Sequence, residues 1–317
     1  MRYTVAVVIL SLVAAPRAAQ TECSAAGYGG SAGQSCQTFI DAARAFHPLA
    51  GMIVSGGDPV LGTGETLRGL GHLSVSARVN AIHVSVPNPD SAGRSSVPSS
   101  FDGLLPAPVV EAALGLLGGG RTGFLSVDAL ASATLLPTGG VRDLSVDSSA
   151  ARVGQVALGL GYGVRIGVLR GGFAVPALSV SIMRRRLPRL QYGDIAAGDN
   201  VQFSTDLGAT NVRATASMRL LFVDVAAGVG WDRYASSAAV AFIDPTRPLT
   251  NPQRIALDLR DNREVAFLDA GLDLATAKLV GEIGYQTGKD QHLTTNFTGF
   301  DPKAGHVFGG FGLRVSL

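Results

Sequence analysis

The chain has 317 residues, of which 46% are hydrophobic and only 16% are charged, with 41 glycines and a formal net charge of +2. So small a net charge, without a basic stripe, argues against nucleic-acid binding. After the N-terminus, no apolar run reaches the roughly 20 residues of a transmembrane helix. The hydrophobic residues are instead spread along the chain by alternation.

The first 19 residues have the pattern of a signal peptide. Arg2 gives a positive start, Val5–Ala15 is an apolar run, and the small residues Ala18 and Ala19 follow. The run is too short to span a bilayer, so we predict cleavage during export and a chain that functions outside the cytoplasm.

Residues 20–70 do not alternate and contain both cysteines, Cys23 and Cys36. An isolated pair in an exported chain predicts one disulfide, and we predict no metal site and no cofactor. Ser35 is a candidate cap for a short helix, because the apolar residues that follow it share one helical face. These are Phe39, Ile40, Ala43 and Phe46. Such a face needs cover, so the segment is either an ordered periplasmic tail or a plug inside the domain that follows.

Two-residue alternation is clearest from Gln155 to Val168, where apolar and small or polar residues take turns. A strand places two such sets on opposite faces, whereas a helix would mix them. The same period recurs at residues 72–81, 110–116, 125–135, 178–183, 211–220, 223–232, 266–274, 278–286 and 306–317. These lengths suit tilted membrane strands of about 9–11 residues, so residues 71–317 predict an all-β, antiparallel up-and-down transmembrane barrel of about ten strands.

Two segments alternate in the opposite phase from the strand that follows them. They are Val201–Leu207, before Val212, and Ile255–Leu259, before Ala266. A bulge or turn near Gly208, strand extensions beyond the membrane, or an extra hairpin would each account for the change of phase. The extra hairpin would give twelve strands, which is the alternative to ten.

The connections between the predicted strands are alternately long and short. The long ones are Pro87–Pro106, Pro137–Ala150, Pro188–Asp199, Asp244–Pro252 and Thr287–Gly305. The short ones are Gly118–Arg121, Arg170–Gly172, the junction at Leu221 and Ala275–Ala277. Short periplasmic turns and longer outer loops are typical of outer-membrane barrels.

The last segment, His306–Leu317, resembles the terminal strand of bacterial outer-membrane β-barrels. Its alternate residues Phe311, Leu313, Val315 and Leu317 fit that pattern, with Leu at the end where Phe is usual. The resemblance implies a place in the outer membrane, among its lipid and lipopolysaccharide, and recognition by the barrel-assembly machinery. Gly56–Pro59 is also similar to long-chain fatty-acid-transporter-type barrels, which carry an N-terminal hatch, but no residue motif transfers their binding site.

The polar faces of the strands point into the barrel if the apolar faces contact lipid. The predicted lumen charges are Arg78, Glu111, Asp128, Arg165, Arg213, Arg219, Asp224, Asp269, Asp273, Glu282 and Arg314. Charges in a narrow lumen need partners, so they form either an inert network of ion pairs or a selective constriction for a small solute. The lumen-facing glycines from Gly159 to Gly167 leave room along one wall.

The sequence therefore favours a non-enzymatic, porin-like barrel, a narrow or plugged passage for small or hydrophobic solutes. A structural or surface-interaction barrel with a sealed lumen is the main alternative. The third possibility is an outer-membrane hydrolase, for which His83, Asp232 and His292 lie toward the predicted outer side. The basic run Arg184–Arg186 either ends a strand in solvent or holds lipopolysaccharide phosphates.

Overall fold

The computed structural model describes residues 23, 26–87, 96–120, 122–137, 144–146, 150–153, 156–172, 175–198, 201–243, 252–274 and 276–317. The predicted signal peptide, residues 1–19, lies outside them. Within this part of the chain, no helix is both long and apolar enough to cross a bilayer.

The described residues form one antiparallel sheet of twelve strands, ten of which close into a barrel. The strands are β1 (Leu73–Pro87), β2 (Ser99–Leu117), β3 (Val127–Pro137), β4 (Leu144–Val146), β5 (Arg152–Val153), β6 (Val156–Leu169), β7 (Ala177–Tyr192), β8 (Val201–Leu220), β9 (Val223–Phe242), β10 (Gln253–Asp273), β11 (Lys278–Gln286) and β12 (His306–Ser316). Strand β12 pairs with β1 and closes the barrel, while β4 and β5 lie within the connection from β3 to β6. Ten barrel strands are confirmed, and the twelve-stranded barrel is wrong.

The alternation sorts side chains between the two faces of the closed sheet. Val75, Val229 and Ile283 face outward and are exposed, whereas Ser76 and Arg165 face inward and are buried. Exposed aromatic residues mark both borders of the apolar belt: Tyr162, Trp231 and Tyr285 at one, Phe124 and Phe222 at the other. A closed sheet with an apolar outer belt satisfies its backbone in lipid, as a transmembrane barrel must.

The connections at the two ends of the barrel differ in length, with one exception. The links β6–β7, β8–β9 and β10–β11 are short and those leaving β1, β3, β9 and β11 are longer, but the β2–β3 link at 118–126 is slightly longer than the β7–β8 link at 193–200. We call the end with the short links the periplasmic end and the other the outer end, following outer-membrane barrels. Two predicted long connections, Pro87–Pro106 and Pro188–Asp199, are shorter than predicted, because β2 already begins at Ser99 and β7 continues past Pro188 to Tyr192. The β7–β8 register shifts beside Pro188, which has no amide hydrogen to donate.

The two segments of opposite phase are single, continuous strands. Val201 and Leu207 in β8, like Ile255 and Leu259 in β10, are buried on the same face as the charged residues further along each strand. Among the described residues, no turn near Gly208 and no extra hairpin occurs, and the only irregularity of the β7–β8 register lies at Leu187–Leu190, opposite Thr205–Leu207. The apolar residues change phase because the lumen itself is apolar at the outer end, where a helix fills it.

That helix is α1 (Gly30–Ser55), and it lies inside the barrel. It contacts strands at the outer end first and reaches the middle of the lumen at Ser55. An extended segment, Gly56–Gly71, continues through the other half of the lumen to the periplasmic end, where β1 begins. We call Gly56–Gly71 the inner plug.

Candidate functional site

Helix α1 begins at Gly30, so Ser35 lies inside the helix and does not cap it. The helix is longer than predicted at both ends and includes the apolar run after His47. Cys23 and Cys36 form the expected disulfide, which ties the chain before the helix to its second turn. The helix ends at Gly56, whose positive φ of 59° favours glycine, and the chain becomes extended there.

Apolar contacts hold α1 in the outer half of the lumen. Ile40 and Phe39 pack on inward side chains of β8, β9 and β10, including Phe242 and Leu257. Leu49 and Met52 form a second cluster, which includes Ile82, Val265 and Phe308. Ile40 and Leu49 have no exposed surface. Burial of this kind contributes roughly 25 cal/mol per Å² of apolar surface.

The connection between β11 and β12 folds over the outer end of the helix. The backbone N–H groups of Thr294 and Thr295 donate to the Asp41 carboxylate at 2.9 and 2.8 Å. Phe297 packs with Ala45 and Val97. The outer mouth is thus covered by a loop that binds the helix through both hydrogen bonds and apolar contact.

Polar side chains of the wall bind the backbone of the inner plug. Gly57 and Asp58 donate their N–H groups to the two carboxylate oxygens of Glu282 at 3.1 and 2.7 Å. A Cβ atom on Gly57 would lie 2.5 Å from that carboxylate, so glycine is required for this approach. Arg78 lies between Glu282, at 3.4 Å, and Glu111, at 3.0 Å.

Arg213 binds the start of the inner plug from the other side. Its guanidinium donates to the carbonyl oxygens of Gly56 and Gly57, both at 3.0 Å. The same group pairs with Asp232, which also accepts from the Tyr234 hydroxyl at 2.8 Å. All three side chains are buried, so the pair is stabilised by its hydrogen bonds and not by water.

A second buried pair binds the inner plug nearer the periplasmic end. Arg165 donates to Asp128 at 2.8 Å and to the Thr63 carbonyl at 3.1 Å. Asp128 in turn accepts the Leu67 N–H at 3.1 Å. Arg314 donates to the Leu61 carbonyl, and Asp269 accepts the Gly62 N–H. Each of these wall charges therefore holds a backbone group of the plug.

One row of inward residues crosses four neighbouring strands of the wall, on the outer side of the pair Asp128–Arg165. Glu111, Ser132, Gly161 and Arg185 are register partners on β2, β3, β6 and β7. Arg185 lies over Gly161, where a Cβ atom would be 2.7 Å from its side chain, and donates to Glu111 at 3.1 Å. The glycines of β6 do not leave an open channel, because side chains of the neighbouring strands lie over them.

Several polar atoms of this wall are buried and have no partner in the described part of the protein. They are Glu111 Oε2, Ser132 Oγ, Arg185 Nε, Arg78 Nε and both amide atoms of Asn80. We call these residues the polar wall. Native proteins leave few buried polar atoms unpaired, so a group of them on one wall indicates a place for water or a polar solute.

The remaining predicted charges form a rim at the periplasmic mouth. Arg219 contacts Asp224 at 3.0 Å and Asp273 at 3.6 Å, and Lys278 pairs with both carboxylates. The Arg219 side chain is 64% exposed. The other predicted charges, from Arg78 to Arg314, are buried in the lumen beside the plug.

Sequence reasoning missed several residues of the lumen. Arg185 continues the inward phase of Ser179 and Ser181, so extending the predicted strand 178–183 by two residues would have found it. Asp58 lies on the inner plug, where the sequence has no alternation from which contact with the wall could be predicted.

The outer-side hydrolase candidates do not meet, because His83 faces outward and pairs with Asp102 at 2.9 Å. Asp232 is in the lumen, and His292 is exposed in the last outer connection.

The residues of the predicted assembly signal lie at the end of the chain, on the lipid-facing side of the barrel. Phe311, Leu313, Val315 and Leu317 are all exposed there. The strand that carries them closes the barrel against β1.

No protein-family model matches this chain, and no curated protein sequence matches it. Its fold is similar to outer membrane protease OmpT from Escherichia coli, at 13% identity and a TM-score of 0.41 over 80% of this chain and 100% of that one. It is also similar to the translocator domain of autotransporter NalP from Neisseria meningitidis, at 12% identity and a TM-score of 0.44 over 88% and 98%. Neisserial surface protein A (NspA) is similar at 9% identity and 0.30, over 77% and 96%. At these identities and TM-scores the likenesses describe the fold alone.

Proposed function

We propose that the protein is a plugged passage for small polar solutes across the outer membrane, in which the inner plug is the part that moves. The observation that carries this proposal is the polar wall beside the inner plug, whose buried atoms have no hydrogen-bond partner among the described residues. A solute with hydrogen-bonding groups would satisfy those atoms. The lumen has charges of both signs, such as Arg185 and Glu111, so uncharged or zwitterionic solutes suit it best.

The inner plug is suited to move because it is held differently from the helix. It forms neither helix nor strand over Gly56–Gly71, and the wall binds its backbone by hydrogen bonds, while its apolar packing is limited to a small cluster of Val60 and Leu67 with wall residues such as Leu130. Hydrogen bonds exchange readily with water or a solute, so each contributes only about 0.5–1.5 kcal/mol net, or roughly twice that when charged. Helix α1 is fixed by buried apolar surface, a disulfide and the covering loop.

A reversible lock on the inner plug tests the proposal. An ideal Cβ on Gly62 lies 3.6 Å from Cβ of Val280, within the range of about 3.5–4.5 Å for a disulfide. The double variant Gly62→Cys/Val280→Cys would therefore tie the inner plug to β11 when oxidised. Planar-bilayer conductance and solute uptake into vesicles are compared for the oxidised and reduced variant and for wild type with and without reductant.

We expect wild type to conduct, the oxidised variant to be silent, and reduction to restore conduction. Wild type with reductant controls for loss of the Cys23–Cys36 disulfide. Conduction that is equal in the oxidised and reduced variant would mean that solutes pass without plug movement, which contradicts the proposal.

A sealed structural barrel is the second candidate, and the dense bonding between plug and wall favours it. Glu282 and Arg213 each bind two backbone groups of the inner plug. Silence of the wild type, in protein shown by heat-modifiable gel mobility to be folded, would support this candidate and overturn the passage.

A further inference from the structure

An apolar groove runs along the lipid-facing surface of the barrel. It has a volume of about 800 Å³ and crosses the strands from β6 to β12 along their outward side chains. Its floor is made of small residues, Ala214, Ala216, Ala227 and Ala266, with Val180 and Ile283 at its sides. In a bilayer such a groove faces acyl chains, and its small residues give them room.

A basic pocket of about 570 Å³ lies on the same strands, nearer the outer end. Four arginines line it: Arg184 and Arg186 on β7, Arg233 on β9 and Arg260 on β10. The register explains this arrangement, because Thr210 lies between Arg184 and Arg233, and Gly208 and Ala235 lie between Arg186 and Arg260. Small residues thus separate long cationic side chains that face outward.

The basic pocket has an excess of positive charge. Arg260 pairs with Asp258 at 2.7 Å, but the other three guanidinium groups have no carboxylate partner among the described residues. Asp206, the other acid of the pocket, accepts the Ser237 N–H at 2.6 Å. Unpaired guanidinium groups at a lipid border match phosphate in charge and in the geometry of two parallel hydrogen bonds.

The two sites are close enough for one molecule to occupy both. Val180 in the groove and Arg184 in the pocket are four residues apart on one strand, which is roughly 13 Å. Trp231 lies between them on β9, after Val229 and before Arg233, at the border of the apolar belt. A lipid whose headgroup is bound in the basic pocket could therefore place its acyl chains directly in the groove.

We propose that this face of the barrel binds lipid A, the phosphorylated and acylated anchor of lipopolysaccharide. The arginines bind its phosphates, and its acyl chains lie in the groove over the alanine floor. Lipid A is the occupant of choice because it combines phosphate and several acyl chains in the outer leaflet, which is where the structure has its basic pocket. The site is on the outer surface and is independent of the lumen and of the passage.

Trp231 is the only tryptophan of the chain, so its fluorescence reports directly on this face. The folded full chain in detergent micelles is titrated with bis-phosphorylated hexa-acylated lipid A, with the same lipid lacking phosphate, and with phosphatidylglycerol. The variant Arg184→Gln/Arg233→Gln removes two of the unpaired arginines. The control Arg254→Gln/Lys303→Gln removes the same charge from exposed outer residues that do not line the pocket.

We expect saturable binding of lipid A, weakened at least about tenfold in Arg184→Gln/Arg233→Gln and unchanged in the control. The variant Ala216→Phe fills the groove and should weaken lipid A binding while the four arginines remain. Native mass spectrometry of each folded variant gives the stoichiometry independently of fluorescence. Equal binding of dephosphorylated lipid A or of phosphatidylglycerol, or binding that the arginine variant leaves unchanged, would overturn the proposal.

Discussion

The two halves of the lumen are filled by the same stretch of chain in different ways. In the outer half, α1 buries apolar side chains such as Ile40 and Leu49 against an apolar wall. In the inner half, the inner plug is extended, and the wall holds its backbone with Glu282, Arg213 and Asp128. Apolar packing and one covering loop fix the first half, whereas charge-assisted hydrogen bonds to the backbone, with a small apolar cluster around Val60, fix the second.

The difference follows from what each kind of chain needs from its surroundings. A helix satisfies its own backbone and presents side chains, so an apolar wall suits it. An extended segment inside a barrel has free N–H and C=O groups, so it needs donors and acceptors from the wall. The inward residues of a strand are therefore apolar where the strand faces α1 and charged or polar where it faces the inner plug.

Removal of a buried wall charge should give the largest effect. Asp128→Ala leaves Arg165 without its carboxylate and Leu67 N–H without an acceptor. We expect a loss of about 3–5 kcal/mol in the free energy of unfolding, because a buried charge becomes unpaired. Urea unfolding in lipid vesicles, followed by heat-modifiable gel mobility, measures it.

Arg219→Ala is the matched test at the exposed periplasmic rim, and it should cost less than about 1 kcal/mol. Equal losses in the two variants would mean that the inner half of the lumen is wet enough to solvate Arg165. The contrast between the two halves would then fail.

Truncation in the apolar half should come next. Leu49→Ala removes a fully buried side chain from the cluster around Phe267 and Phe308, and we expect a loss of about 2–5 kcal/mol. The same unfolding assay applies, with Leu221→Ala as control, because Leu221 is 89% exposed in the β8–β9 turn. That control should change stability by less than about 0.5 kcal/mol. A Leu49→Ala variant as stable as the control would show that α1 does not depend on packing.

Alternation made the barrel predictable because successive side chains of each strand face lipid and lumen in turn, so the pattern repeats many times. It failed at Val201–Leu207 and Ile255–Leu259, where the inward face packs on the apolar helix and the outward face carries polar residues such as Asp206 and Arg260. There, period two still gives a strand but no longer says which face is inside. The change of phase was itself the signal that something apolar fills the outer lumen.

In the inner half of the lumen, the wall residues were predictable from the sequence, but the plug residues that they bind were not. Arg78 and Glu282 lie on the polar faces of regular strands, and the structure has both in the lumen. Their backbone partners, Gly57 and Asp58, lie in a segment without period, and nothing local relates it to β11, more than 200 residues later. Arg185 was obscured because it sits in a run of three arginines whose outer two face away from the lumen.

Loss of the disulfide should have the smallest effect on stability, and it tests whether α1 and the inner plug open independently. Cys23→Ser/Cys36→Ser removes a short covalent loop at the start of α1, which is worth about 2–3 kcal/mol locally in the chain-entropy model. We expect amide hydrogen exchange to rise over 30–43 and to stay unchanged over 57–67, because the wall binds the inner plug directly. Reduced wild type, in which the same bond is broken and both side chains are kept, controls for the side-chain changes. Faster exchange in both segments would show that the halves open as one unit, and the inner plug could then not move by itself.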